Sequence, residues 1–258
     1  MAITMELLRT KATRTRLSEI AYYVFNGALP VVVLVLVRGF DPPYLALAIV
    51  LLSKWRIFAL RPRFWWPNIK TNMVDILVGV SVVGLLYLSS ADLVLQVIIT
   101  LLYGTWLTII KPLSTSNGIV LQAGIAQFVA LVVLFHFSAI WNEFLVIIGS
   151  WLIGYVAARH VVSNYEEPNV DLWAAVWGLL TAQLSWLMFH WTVVYNLGMP
   201  ILMPQAALVM LVLGFSASRL YTMQQSERLS SSIIRSTALF TVVLILVILL
   251  FSPWDARL

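Results

Sequence analysis

Long uncharged stretches alternate along the whole chain with short clusters of Arg, Lys, Pro, Gly, Asn and Ser. Unpaired backbone groups are intolerable in hydrocarbon, so stretches of this length are read as successive spanning helices. The pattern predicts about nine of them, at roughly 20–37, 43–60, 73–89, 92–110, 118–138, 141–158, 171–190, 199–218 and 235–252. Lys54 and Arg56 interrupt the second, and Pro200 and Pro204 the eighth. A membrane β-barrel would alternate polar and apolar residues, whereas VVVLVLV at 31–37 and VVLILVILLF at 242–251 are apolar throughout.

Composition strengthens this picture. The 258 residues are 61% hydrophobic and 10% charged, against ~25% charged in ordinary soluble domains. Nine helices leave too little chain for a separate soluble domain. The expected fold is therefore all-α: one polytopic transmembrane helical bundle over 1–258, with a basic cytoplasmic segment at 1–18 and a basic-aromatic cytoplasmic interface loop at 54–71. The first apolar run follows basic residues as a secretory leader would, but its length and the lack of a small-residue cleavage site predict a retained helix.

Charge sets the orientation. With the N-terminus inside and the C-terminus outside, every lysine and arginine except Arg38 and Arg257 falls on the inner side, a strong positive-inside bias. The net charge of +5 then reflects attraction to anionic inner-leaflet lipid and not to nucleic acid. The expected location is the cell (plasma) membrane. Expected partners are the bilayer, its anionic inner-leaflet lipids and other membrane helices, a second copy included.

Most carboxylates fit helix grammar. Glu19, Asp75, Asp92, Glu143 and Asp171 fall in the first turns of the helices expected above, where exposed N–H groups favour an anion by ~0.3–1 kcal/mol. Ser18 and Asn72 are expected N-caps, and Asn72 with Asp75 has capping-box spacing. Arg38, Lys111, Arg159 and Arg219 take the complementary C-terminal positions.

The densest chemistry lies between 54 and 70, where Lys54, Arg56, Arg61, Arg63 and Lys70 are interleaved with Trp55, Phe58, Phe64, Trp65 and Trp66. Forked guanidiniums, ammoniums and amphipathic indoles at headgroup depth suit either a topology anchor or a site for anionic lipid or phosphate. Lys54 is expected to snorkel from the end of helix two. Lys54 to Pro62 reads K-x6-R-P, which resembles the opening motif of the membrane phosphatases that act on phosphatidic acid and polyprenyl pyrophosphates. That family also carries Pro-Ser-Gly-His and Ser-Arg followed by a nucleophilic His. Here 112–118 reads PLSTSNG and no histidine follows Ser218-Arg219, so the nucleophile of that chemistry is missing.

Of three histidines, His136 and His190 sit at similar outer depth on different helices, a weak candidate pair for haem or metal with Glu143 nearby. No cofactor is expected. Asn26, Gln96, Gln122, Gln127, Gln183 and Gln205 must find partners away from lipid, lining a solute path or tying helices together. Pro30 and Pro204 would kink helices one and eight. Gly124, Ala126, Ala130, Ser150 and Gly154 permit close helix contact. Without cysteine, HExxH, a phosphate loop or a lysine after Lys111, thiol chemistry, zincin, nucleotide and retinal readings fall away. Gly214-Phe-Ser-Ala-Ser218 resembles the rhomboid-protease nucleophile motif but lacks its second glycine and a following histidine. A small carrier, channel or membrane-complex subunit is the first expectation. The alternative is an enzyme or binder of phosphate-bearing lipid at the inner leaflet, with Asp75 or Glu19 available for proton transfer.

Overall fold

The computed structural model describes residues 22–57, 59, 61–165, 167–191, 193–196 and 201–252. The basic segment 1–18, with Ser18 and Glu19, lies outside them. The chain forms a helical bundle: α1 (Tyr22–Gly39), α2 (Tyr44–Leu52), α3 (Trp65–Leu88), α4 (Leu93–Thr105), α5 (Ser116–Phe137), α6 (Glu143–Val162), α7 (Val170–His190), α8 (Gln205–Gln225) and α9 (Ser231–Leu250). Eight of these elements, α4 counted with the turn that follows it and α3 with the one before, are long and apolar enough to cross a membrane. Such a set of helices is that of a multi-pass membrane protein.

Side-chain caps mark the starts the polar clusters foretold. Asp92, Thr115, Asn142 and Ser230 each accept a hydrogen bond from the backbone N–H three residues on, at 3.0, 3.1, 2.9 and 3.3 Å. Each cap satisfies a helix-end donor, worth ~1 kcal/mol.

Two expected helices are corrected. The stretch 43–60 is not one helix: α2 stops at Leu52, and short 3-10 turns follow at Trp55–Ile57 and Pro62–Phe64. Ser53 Oγ bonds back to the Val50 carbonyl at 2.6 Å, and Pro62 forces Arg61 into an extended conformation, ψ 142°. The expected helix 199–218 begins later, at Gln205. Pro204 is its N-cap and kinks nothing; Met203–Pro204 instead pairs antiparallel with Val194–Tyr195 as β2 and β1. Pro200 lies outside the described residues.

The break in α2 does not stop the chain from traversing the bundle. Tyr87 Oη, near the end of α3, donates to Asp41 Oδ1 at 3.2 Å, while Phe64 runs directly into Trp65 at the start of α3. Residues 41–64 therefore run alongside nearly all of α3, from Tyr87 back to Trp65, about 33 Å at ~1.5 Å per residue. Similarly, Tyr22 Oη donates to the Leu107 carbonyl at 3.1 Å and Arg38 Nη1 to Gln96 Oε1 at 2.7 Å. These bonds set α1 antiparallel to α4.

The core has two centres. Val33, Val50, Val78, Val83, Leu86, Tyr103 and Leu107 pack α1 to α4, and Leu131, Phe135, Val146, Ile153, Ala207 and Met210 pack α5 to α8. α6 and α7 approach most closely, with Gly154 of α6, one of the expected contact residues, at the seam. A Cβ on Gly154 would lie 2.3 Å from Thr181 Oγ1 and 3.1 Å from the Gly178 backbone. α9 leans on α8, with its apolar side chains mostly exposed.

Gly154→Val should therefore wedge α6 from α7 and cost roughly 1–3 kcal/mol. Gly27→Ala, where nothing lies within 4 Å, should leave stability unchanged or slightly raised. Thermal unfolding midpoints of the two variants in detergent check the pair, and equal midpoints would reject the tight α6–α7 contact.

Candidate functional site

The break after Leu52 has a chemical consequence. Leaving the helix lets Lys54 turn into the bundle, not snorkel outward, and its ammonium pairs with Asp75 of α3. Lys54 and Asp75 side chains are 9% and 8% exposed. On the far side, α4 widens after Thr105 into a π-turn, Trp106–Ile110, closed by Lys111 N–H on the Trp106 carbonyl at 2.8 Å. That extra residue per turn brings two groups onto the same carboxylate: Lys111 Nζ at 2.6 Å from Oδ2 and Trp106 Nε1 donating to Oδ1 at 3.3 Å. Such π-turns frequently occur at functional sites.

Asp75 is thus corrected. It stands ten residues into α3, buried, and not in a first helical turn. Asn72 does not cap; its side chain donates to the Asn68 carbonyl at 2.9 Å within the helix. Pro67 was the available signal, because proline belongs in a first turn and a start beside it sets Asp75 two turns deep. One turn beyond Asp75, a Cβ on Gly79 would lie 3.1 Å from Tyr103 Oη. That hydroxyl is buried and has no hydrogen-bond partner among the described residues.

The remaining cations of the 54–70 cluster separate. Lys70 Nζ pairs with Asp171 Oδ2 at 2.5 Å, and Asp171 Oδ1 also takes Arg159 Nε and Tyr155 Oη, both at 2.9 Å. Asp171 so ties α3, α6 and α7 together at the cation-rich end. Arg61 and Arg63 are exposed, with Arg63 lying over the Phe64 ring at 4.6 Å. The Arg56 side chain lies outside the described residues.

The amides act mainly as clamps. Gln122 Nε2 faces the carbonyls of Ile110, Lys111 and Leu113 at 2.7, 3.2 and 2.9 Å, and its Oε1 meets His160 Nε2 at 2.7 Å. It thereby satisfies carbonyls released at the end of α4. Gln96 donates to the Leu86 carbonyl at 2.8 Å, Gln127 bridges Met210 and Trp177, and Gln205 donates to Ser252 Oγ at 3.0 Å. Asn26 bonds within α1 to the Tyr22 carbonyl, and Gln183 is exposed on α7. They form no single file across the bundle.

The histidine pair is not brought together by these contacts. His136 Nδ1 meets the Val132 carbonyl at 2.8 Å and its Nε2 accepts from Leu202 N–H at 3.1 Å, so both ring nitrogens are occupied. Glu143 faces His190 at 3.6 Å and accepts from Trp186 Nε1. No group of three or more His, Asp or Glu placed to hold a metal occurs among the described residues.

A cavity of about 190 Å³ lies between α5, α6, α7 and α8. Its walls include Ala123, Gly124, Ala157, Trp177, Met210 and Gly214. No family model, curated protein or solved structure matches the chain. The chemistry of its own residues is therefore the guide to function.

Asp75→Asn should leave two ammoniums without their counter-charge and cost on the order of 3–5 kcal/mol. Lys54→Met should cost less, because Lys111 still neutralises the carboxylate. The double variant Lys54→Met, Asp75→Leu should recover part of the loss. Additive losses in thermal or denaturant unfolding would show that the pair is not coupled.

Proposed function

We propose that this chain is a small carrier for an anionic solute, crossing the cell membrane nine times with its cation-rich end in the cytosol. The ninth crossing is the broken stretch 41–64, which keeps the N-terminus inside and the C-terminus outside. One observation carries the reading: two lysines share one carboxylate inside the bundle, where an interrupted helix and a π-turn meet.

Ionisable groups inside a membrane domain mark function by default, and carriers build their sites at discontinuous helices. Lys54, Lys111 and Asp75 together carry one positive charge in excess. A buried excess charge is costly unless paired, and an anion is the natural fourth member. Lys111, 32% exposed against 9% for Lys54, is the arm that exchanges Asp75 for the solute. The orphan Tyr103 hydroxyl, one turn further in, supplies a hydrogen bond beyond it. Towards the opposite end Val82, Val83, Leu86 and Phe135 fill the interior, so the site is reached from the cation-rich side. A lipid-phosphate enzyme would need the cations of 54–70 in one place. Lys54 and Lys70 instead face carboxylates, and Arg61 and Arg63 suit an interfacial anchor.

The chain has no cysteine, so single cysteines report sidedness directly. In intact cells, Gly39→Cys should react with an impermeant maleimide, and Arg61→Cys should react only after lysis. Labelling of both from outside would eliminate the ninth crossing. For transport, proteoliposomes on a solid-supported membrane should give a charge movement on jumps of inorganic phosphate or a small mono- or dicarboxylate. Lys111→Gln should abolish it. A folded wild-type protein that is silent to the whole set would remove the carrier reading.

A further inference from the structure

The cavity between α5 and α8 is independent of the Asp75 site and has a chemistry of its own. Its depth runs along the helices: wall residues Val120 to Gln127 on α5 span about 10 Å. At the deep end Gln127 is held by Trp177 Nε1 at 3.3 Å and the Met210 carbonyl at 3.2 Å. The walls are otherwise almost wholly apolar. An apolar space of this kind stays dry, and one of ~150 Å³ accepts a benzene-sized guest.

The opening faces sideways. Trp173 on α7 and Phe215 on α8, which both line the space, are 52% and 39% exposed and frame its mouth. Trp173 lies three residues from the start of α7, the headgroup depth that tryptophan prefers. One turn from Phe215, towards the cation-rich end and on the same stripe of α8, stands Arg219. It is exposed and makes no ion pair among the described residues. An elongated apolar slot open to the lipid, with an indole and a free guanidinium at its rim, has the shape and charge of an anionic amphiphile.

We infer that this slot holds one hydrocarbon chain of an anionic phospholipid of the inner leaflet, with the headgroup at Arg219. The chain lies along α5 and α8, reaching Gln127. The phosphodiester takes the guanidinium in forked hydrogen bonds. This assignment stands whether or not the chain is a carrier.

Gly214 allows a direct test. A Cβ there would meet only Gln127, at 3.8 Å, so Gly214→Leu fills the slot without a backbone clash and favours the helix. Native mass spectrometry would be run on the full chain with phosphatidylglycerol, with phosphatidylcholine of matched chains, and with palmitate. Wild type should retain one phosphatidylglycerol, preferred over phosphatidylcholine by about fivefold, the equivalent of one surface cation. Gly214→Leu, checked as folded by gel filtration, should lose both lipids. Arg219→Gln should keep chain binding and lose the preference. Unchanged retention by Gly214→Leu, an undiminished preference in Arg219→Gln, or displacement of the phospholipid by palmitate would each overturn the assignment.

Discussion

A carboxylate inside an apolar bundle is tolerated only if cations reach it, and most irregular features of this fold exist where Asp75 makes that demand. Lys54 cannot face Asp75 from a helix that continues outward to the interface, so α2 ends two residues before it and the chain proceeds in short turns. Lys111 and Trp106 gain their reach from the π-turn at the end of α4. Both distortions leave backbone groups open. Gln122 answers one set, with His160 orienting its amide, and Ser53 answers part of the other. Deleting the carboxylate thus affects four elements at once.

The polar machinery is unevenly distributed along the helices. Asp75, the Asp171 junction, Gln122 with His160, and the slot between α7 and α8 all lie towards the cation-rich end. The opposite half is sealed by Leu86, Phe135, Leu131 and Val146, each fully buried. Small residues make this asymmetry possible: Gly154 and Gly178 draw α6 and α7 together, while α7 and α8 part around the slot. The proposed anion site and the proposed lipid slot therefore share one half of the bundle without sharing residues.

Legibility in the sequence followed the physics of each feature. Continuous apolar runs located α4 to α7 and α9 closely, and the end of α3, because hydrocarbon demands local backbone satisfaction and local patterns report it. Glu143 and Asp171 were placed in first helical turns for the same reason, and the structure has them there. The same rule misled just before Gln205, where Met203–Pro204 was read as part of a spanning segment yet pairs as β2 with β1. Asp75 was assigned to a helix start because the apolar run begins at Met73, although the helix itself begins at Trp65. The glutamines were recognised as needing partners, but Gln96, Gln122 and Gln127 find theirs in carbonyls and side chains outside their own helices, and Gln205 in Ser252.

The sequence by itself determined the class: helical and multiply apolar, with cations concentrated towards one end. Those properties are sums over local composition and spacing, which do not depend on what each helix touches. Only the tertiary structure decided that Lys54 turns inward, that Lys111 joins it, and that α7 and α8 leave a slot. Each depends on residues more than twenty positions apart meeting in space, and neither hydropathy nor periodicity carries that information.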